Sequence, residues 1–170
     1  MNVPVLSRVA PAIRRMQLLL IVAGAAIGID QISKWAVEAN MELYESIPIV
    51  GHWFGLTRTM NTGAAFSMLQ NGGVIFIVIA AVVTAVILYY GPRLPEHDRA
   101  SRVALGLQLG GALGNVIDRL RQGYVTDFLH LKIPEIGFDW PVSNIADICI
   151  VSGVILLIVL SLRGKSVLAD

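Results

Sequence analysis

The sequence predicts an all-α membrane protein with four transmembrane helices and a small extracytoplasmic β-sheet at the outer membrane surface. Of its 170 residues, 55% are hydrophobic and only 15% are charged, and the mean hydropathy is +0.70. Four long stretches contain no charged residue: Met16 to Ile29, Gly72 to Gly91, Val103 to Ile117 and Ile148 to Leu162. Only the second reaches the roughly 20 residues that cross a bilayer, so the others must include polar residues. The resulting spans are approximately 16–36, 72–91, 103–121 and 143–162.

The first span has an alternative interpretation. Arg14 and Arg15, a short apolar run and then Ala23-Gly24-Ala25 would also pass for a cleavable signal peptide. Cleavage would leave three spans and would remove the charge asymmetry described below. We therefore favour a retained membrane helix.

Two segments between the spans, 37–71 and 122–142, are long enough to fold outside the membrane. From Phe54 to Asn61 apolar and polar residues alternate, which predicts a half-buried strand resting on the membrane surface. The segment from Gly123 to Trp140 predicts a further strand and a turn. No linker or repeat divides the chain, so we expect a single membrane domain over 1–170.

Glycine recurs at every fourth position of the third span, at Gly106, Gly110 and Gly114, and Gly24 and Gly28 repeat this spacing in the first span. Small residues at such intervals let membrane helices approach closely. The pattern predicts a compact helix bundle and says nothing about function.

Charge asymmetry predicts the orientation in the membrane. If both termini and the loop between the second and third spans share one side, that side holds most of the basic residues: Arg8, Arg14, Arg15, Arg93, Arg99, Arg102, Arg163 and Lys165. By the positive-inside tendency this side is cytoplasmic. Trp35, Trp53 and Trp140 fall on the opposite side, as residues of an interfacial belt do. We therefore predict a multi-pass protein with both termini in the cytoplasm.

Three acidic residues are predicted to reach one depth near the outer face. Asp30, Asp118 and Asp147 each lie 15 or 16 positions from the arginine that bounds the cytoplasmic end of their span. At 1.5 Å per residue this is about 22 to 24 Å, in a hydrocarbon core about 30 Å thick. Their side chains can therefore share one interior site below the outer surface.

Asp127 and Asp147 are the candidate catalytic residues, because neither has a basic residue close by in sequence. A charged side chain at the middle of a membrane helix costs roughly 2.5 to 3.5 kcal/mol, so chance rarely leaves one there. Two neighbouring carboxyl groups cannot both ionise cheaply, so they share one proton. Such a pair can activate water and protonate a carbonyl, which permits amide hydrolysis without a metal. We expect neither a metal nor a cofactor.

Seven other polar residues near this rim are candidate supporting residues: Asn61, Arg119, Asn115, Asn144, Asp118, Asp30 and Lys34. The one-turn spacing of Asp30 and Lys34 favours an ion pair that fixes the first helix, and Asp118 favours a structural role. Arg119 is also suited to binding a phosphate or a carbonyl through its planar guanidinium. Interior asparagines fit structural hydrogen bonding and substrate positioning equally well, and both interpretations remain open.

Other functions fit the sequence less well. A net charge of +1 is too small for a nucleic-acid binder, and the chain has no HExxH pattern for zinc. Ser33 and Lys34 are adjacent, about 100° apart on a helix, which disfavours a serine-lysine pair. A proton-coupled transporter would use acids spread across the membrane, whereas these gather at one rim. The remaining alternative is a structural subunit in which the polar cluster only holds the helices together.

Five motifs occur in order along nearly the whole chain: Asp30-Gln31-Ile32-Ser33-Lys34, Asn61-Thr62-Gly63-Ala64-Ala65-Phe66-Ser67, Gly114-Asn115-Val116-Ile117-Asp118-Arg119, Gly123-Tyr124-Val125-Thr126-Asp127-Phe128 and Asn144-Ile145-Ala146-Asp147. Together they resemble the signature blocks of bacterial lipoprotein signal peptidase, also called signal peptidase II. One short block would be weak, but five in order are highly specific.

This resemblance implies an aspartic endopeptidase of the bacterial inner membrane that removes the signal peptide from diacylglyceryl-modified prolipoproteins, cleaving before the lipidated cysteine. It implies catalytic roles for Asp127 and Asp147 and supporting roles for the other seven polar residues. The implied partners are diacylated signal peptides, membrane lipid and cyclic lipopeptide inhibitors, and we expect a monomer. We also expect the segment from Trp53 to Phe66 to clamp the precursor, with Asn61 and Arg119 bonding its carbonyls or lipid esters.

Overall fold

The computed structural model describes residues 6–63 and 72–163, which form four α-helices and a four-stranded antiparallel sheet. The helices are α1 (Leu6–Asn40), α2 (Gly72–Tyr90), α3 (Arg99–Gln122) and α4 (Ile145–Leu162). The strands are β1 (Ser46–Val50), β2 (Phe54–Asn61), β3 (Val125–Ile133) and β4 (Phe138–Asp139). The prediction of a mostly helical protein with a small sheet is confirmed.

The helix limits differ from the predicted spans at several ends. α1 is 35 residues long and extends beyond 16–36 in both directions, because charged residues end an apolar stretch without ending a helix that satisfies its own backbone. α4 begins at Ile145 and not at 143, because Asn144 adopts extended backbone angles and caps the helix. The predicted strand over 54–61 is confirmed with the same limits as β2.

Three segments of the described chain are long and apolar enough to cross a membrane by length and composition: Met16–Asn40, Gly73–Arg93 and Ile145–Leu162. α3 is not among them, although its 24 residues would extend about 36 Å. The reason lies in its surroundings, because α3 packs against α1, α2 and α4 and so presents less of its surface outward. It can therefore carry glycines and polar residues where a lipid-facing helix carries apolar side chains.

The glycines of α3 let the helices pack closely, as predicted. A Cβ atom at Gly106 would lie 2.7 Å from the carbonyl oxygen of Leu19, and one at Gly110 would lie 2.6 Å from the Cβ of Ala26. Gly24 and Gly28 differ, because a Cβ atom at either would meet no atom of another described element within 4 Å. Among the described residues, these two glycines therefore do not allow the close helix approach that the pattern predicted.

The sheet rests on the end of α1 and carries one of the candidate acids. Its strand order is β1-β2-β3-β4, and buried Phe128 of β3 packs with Val37 of α1 and with Met41, the residue that follows α1. Arg58 of β2 reinforces this contact, because its guanidinium donates a 2.6 Å hydrogen bond to the carbonyl oxygen of Met41. β3 is thereby held beside the bundle, with Asp127 near its first residue.

Candidate active site

Asp127 is held on β3 with both carboxylate oxygens hydrogen-bonded. Antiparallel pairing of β2 with β3 sets Thr59 opposite Asp127, and the Asp127 side chain is only 2% exposed. The side-chain amide of Asn61 donates to Oδ2 at 2.9 Å, and that of Asn144 donates to Oδ1 at 2.6 Å. Two amides therefore orient this carboxyl group.

Asp147 lies in the first turn of α4, where the helix cap positions it. The side-chain oxygen of Asn144 accepts a hydrogen bond from the backbone N–H of Asp147 at 2.9 Å, as an N-cap residue does. The side-chain amide of Asn115 on α3 donates to Oδ1 of Asp147 at 2.8 Å. Asp147 is less enclosed than Asp127, so its carboxyl group remains partly exposed.

Two asparagines join the two acids. The amide nitrogen of Asn144 donates to Asp127 and also to the amide oxygen of Asn115, 3.2 Å away. Asn115 in turn donates to Asp147, so a continuous chain of hydrogen bonds connects the two carboxyl groups. The structure thus brings together the two candidate catalytic residues and gives Asn115 and Asn144 direct contacts with them.

Beneath this pair lies a buried ionic cluster centred on Lys34, which is 1% exposed. Its ammonium nitrogen lies 2.9 Å from a carboxylate oxygen of Asp30 and 2.9 Å from one of Asp118. The predicted Asp30–Lys34 ion pair is confirmed, and Asp118 joins the same cation. Lys34 also donates to the amide oxygen of Asn115 at 3.0 Å, which leaves the amide nitrogen of Asn115 directed at Asp147.

Two further groups complete the cluster, and one of them was missed as a site residue. The Gln31 side-chain amide donates to Asp118 at 2.9 Å and to the carbonyl oxygen of Gly114 at 3.2 Å. The backbone N–H of Ala146 donates to Asp30 at 2.9 Å. The signal that could have identified Gln31 was its place in the first motif, between Asp30 and Lys34. These bonds fix α1, α3 and α4 relative to one another below the acids.

Arg119 lies beside the site without an ion pair to either catalytic candidate among the described residues. Its guanidinium stacks 4.8 Å from the ring centroid of Phe76 on α2 and donates to the backbone oxygen of Asn115 at 3.3 Å. Its Nε is buried and has no hydrogen-bond partner in the described part of the chain. Sequence reasoning missed Phe76, because nothing distinguishes it from the other apolar residues of the long apolar stretch in which it lies.

Burial raises the pKa of Asp127 from the ordinary 3.8 to about 6, and the charge of Asp147 adds to this, while the hydrogen bonds from Asn61 and Asn144 oppose it. Between pH 3.8 and 6 the native carboxyl group therefore binds more protons than the unfolded one. Its contribution to the free energy of unfolding accordingly falls as the pH rises through that window. Near neutral pH, Asp127 is poised to gain or lose a proton.

Replacing Asn61 with alanine should raise the pKa of Asp127 further. The amide of Asn61 stabilises the charged carboxylate, so its removal favours the protonated form. The descending, alkaline limb of the activity profile should therefore move to higher pH, which turnover measured across pH 5 to 9 would test. An unchanged limb would mean that Asn61 contacts the carboxylate without tuning it.

Part of the predicted clamp lies outside the described residues. Ala64, Ala65 and Phe66 belong to the range 64–71, between the two described ranges. Asn61 ends β2 and contacts Asp127, so its observed partner is a candidate catalytic residue.

The protein has an apolar helix bundle, and at one end of it two carboxyl groups are connected by hydrogen bonds through asparagine side chains. These features define a membrane protein whose polar site is suited to acid-base chemistry. Comparison with known proteins specifies the family: residues 17–163 match the family model described as signal peptidase (SPase) II. The chain belongs to the signal peptidase II family.

Similar proteins agree with this assignment. The chain is 46% identical over 138 residues to a lipoprotein signal peptidase of Moorella thermoacetica, covering 81% of this chain and 88% of the relative. It is 44% identical over 140 residues to a lipoprotein signal peptidase of Symbiobacterium thermophilum, covering 82% and 91%. Two solved structures, each described as a bacterial membrane enzyme structure determined by the in meso method, at 2.3 and 1.9 Å resolution, superpose with TM-scores of 0.78 and 0.79. Each is 31% identical; the first covers 87% of this chain and 89% of the solved one, and the second covers 85% and 92%.

Proposed function

We propose that this protein is an aspartic endopeptidase that removes the signal peptide from diacylglyceryl-modified prolipoproteins, cleaving before the lipidated cysteine. The family membership supports removal of signal peptides from prolipoproteins. The observation that carries the aspartic mechanism is the hydrogen-bonded chain from Asp127 through Asn144 and Asn115 to Asp147.

The reaction proceeds by general acid-base catalysis. The ionised carboxyl group of the pair removes a proton from water while the neutral one donates a proton to the scissile carbonyl oxygen. The resulting tetrahedral intermediate collapses when the carboxyl group that took the proton from water gives it to the amide nitrogen. The C–N bond breaks as the other carboxylate takes a proton back from a hydroxyl group of the intermediate, which restores both carboxyl groups. The fixed amides of Asn61, Asn115 and Asn144 keep both carboxyl groups oriented through these steps.

The position of the site suits a substrate anchored by lipid. Asp147 lies in the first turn of α4, at one end of a candidate membrane span. A diacylated cysteine holds its neighbouring peptide bond near the membrane interface, where such a helix end would lie. We propose that the site lies at the outer face of the bacterial inner membrane. We also propose that the protein is a monomer with four spans and both termini in the cytoplasm.

Arg119 is the residue best suited to bind the substrate. Its guanidinium stacks on Phe76 and lies beside Asn115, and a planar guanidinium matches carbonyl and ester oxygens. A cyclic lipopeptide that mimics the precursor would use the same donors.

Replacing Arg119 with alanine should raise the KM for the precursor by about tenfold or more, since a hydrogen bond to a charged group contributes roughly 1.5 to 3 kcal/mol. The fall in kcat should be smaller than for either aspartate variant. Arg163→Ala, which removes an exposed arginine after the other end of α4, is the matched control. Unchanged KM and unchanged lipopeptide affinity in Arg119→Ala would remove Arg119 from the binding site.

The decisive experiment incubates the purified protein in detergent with a diacylated precursor peptide and with its unlipidated twin. Mass spectrometry should find cleavage of the lipidated peptide alone, immediately before the modified cysteine. Equal cleavage of both peptides would contradict the proposed substrate class, and cleavage of neither would contradict the proposed function.

A further inference from the structure

Thr126, the residue before Asp127, is buried in a second polar network that the chemistry above does not use. Its side chain is 1% exposed. Its hydroxyl donates a 2.5 Å hydrogen bond to the carboxylate of Glu38 near the end of α1 and accepts a 3.0 Å bond from the side-chain amide of Gln122 at the end of α3. Both partners were overlooked from the sequence, since neither belongs to an apolar span.

Glu38 is itself held in place. One guanidinium nitrogen of Arg121 lies 2.9 Å from each carboxylate oxygen of Glu38, and the side-chain amide of Gln122 lies 3.5 Å from one of them. The acceptor of the Thr126 hydroxyl is therefore fixed by two side chains of α3. Hydrogen bonds to a charged group of this kind are stronger than neutral ones.

The backbone of Thr126 is anchored as well. Its N–H donates to a carboxylate oxygen of Asp118 at 3.3 Å, which ties it to the Lys34 cluster. Successive residues of a strand face opposite sides. Thr126 accordingly contacts the ends of α1 and α3, while Asp127 turns away to meet Asn61 and Asn144.

We propose that Thr126 and Glu38 are positioning residues that set the placement of the Asp127 carboxyl group relative to Asp147. The hydroxyl–carboxylate bond pins β3 to the helix ends one residue before Asp127, so its loss lets the strand shift. Misplacement of a reacting group by about 1 Å can lower the rate by about 100-fold. This inference rests on the proposed function, in which Asp127 is catalytic.

The test compares three threonine variants with the parent protein on the lipidated peptide. Thr126→Val removes the hydroxyl at nearly constant volume, and Thr126→Ser restores it. Thr84→Val on α2 is the matched control, because its buried hydroxyl has no hydrogen-bond partner in the described residues. Thr126→Val should lower kcat by about tenfold or more with KM within about twofold, whereas Thr126→Ser and Thr84→Val should stay within about threefold of the parent.

Two further measurements separate positioning from simple structural support. First, all rates are expressed per folded molecule, and folded molecules are counted by size-exclusion chromatography in detergent. Second, the descending limb of the pH profile of activity should shift in Thr126→Val. Glu38→Ala should reproduce the Thr126→Val effect, and the double variant should be no slower than either single one, because both remove the same bond. If Thr126→Val does not fold, Glu38→Ala and its pH profile decide the question.

Parent-like kcat in Thr126→Val, or a loss that disappears when rates are counted per folded molecule, would overturn the positioning role. Asp127→Asn distinguishes this failure from failure of the proposed function. If Asp127→Asn is inactive while Thr126→Val is fully active, only the positioning role fails. If Asp127→Asn retains activity, both the aspartic mechanism and the positioning role fail.

Discussion

Asp127→Asn and Asp147→Asn should each abolish cleavage of the diacylated precursor while the protein still inserts and folds. Asparagine keeps the size and polarity of aspartate but cannot exchange a proton with water or substrate. General acid-base catalysis contributes about 10² to 10⁴ in rate, and each carboxyl group performs one half of it. The measurement is single-turnover cleavage with equal amounts of folded protein.

The exposed acid Asp139 on β4 provides the matched control, since its partners are His130 and Lys132 of β3. Asp139→Asn should therefore cleave like the parent protein. The double variant of Asp127 and Asp147 should be no slower than either single one, because the two residues act as a unit. Substantial turnover by either single variant would exclude the two-carboxyl mechanism.

Lys34→Met should cost the protein about 3 to 5 kcal/mol of folding stability, the range for breaking a buried ion pair. Its ammonium group is the cation that lies between Asp30 and Asp118, and without it two buried carboxylates face each other. Activity per folded molecule should also fall, because Lys34 orients the Asn115 amide that reaches Asp147. Denaturant titration in mild detergent measures the first effect and cleavage rate the second.

A compensated variant separates these two effects. Lys34→Met combined with Asp30→Asn and Asp118→Asn buries no uncompensated charge, so it should regain much of the lost stability. It should not regain activity, because nothing replaces the bond from Lys34 to Asn115. Lys132→Met, at a half-exposed position of β3, is the control for loss of a lysine. Parent-like stability of Lys34→Met would contradict the structural role of the cluster.

The sequence was sufficient to predict most of the architecture, because solvation and strand alternation are local properties. The apolar stretches led to the helices, and the alternation from Phe54 to Asn61 matched β2 at both ends. α3 shows the limit of this reasoning. Its composition is less apolar than that of the three helices that are long and apolar enough to cross a membrane. Only its enclosure by these three helices explains why it tolerates polar residues.

Much of the candidate site was also predictable, since a charge beside an apolar segment is costly wherever it lies. This reasoning selected Asp127 and Asp147 and the Asp30–Lys34 pair from one-dimensional information. It could not decide between structural and positioning roles for the asparagines. In the structure a candidate catalytic carboxyl group accepts a hydrogen bond from each of Asn61, Asn115 and Asn144. These contacts depend on which ends of the helices and strands lie next to each other.

The amino-acid sequence by itself determined which residues avoid water, which faces of the helices carry polar groups and which acids lack a local partner. Only the tertiary structure decided which side chains contact each other: Asp118 with Lys34, Asn115 with Asp147, and Thr126 with Glu38. The physical reason is that periodicity assigns a side chain to a face, whereas a hydrogen bond requires two faces to approach within about 3 Å. Such approach depends on the close packing of α1 against the glycines of α3, which no single segment contains.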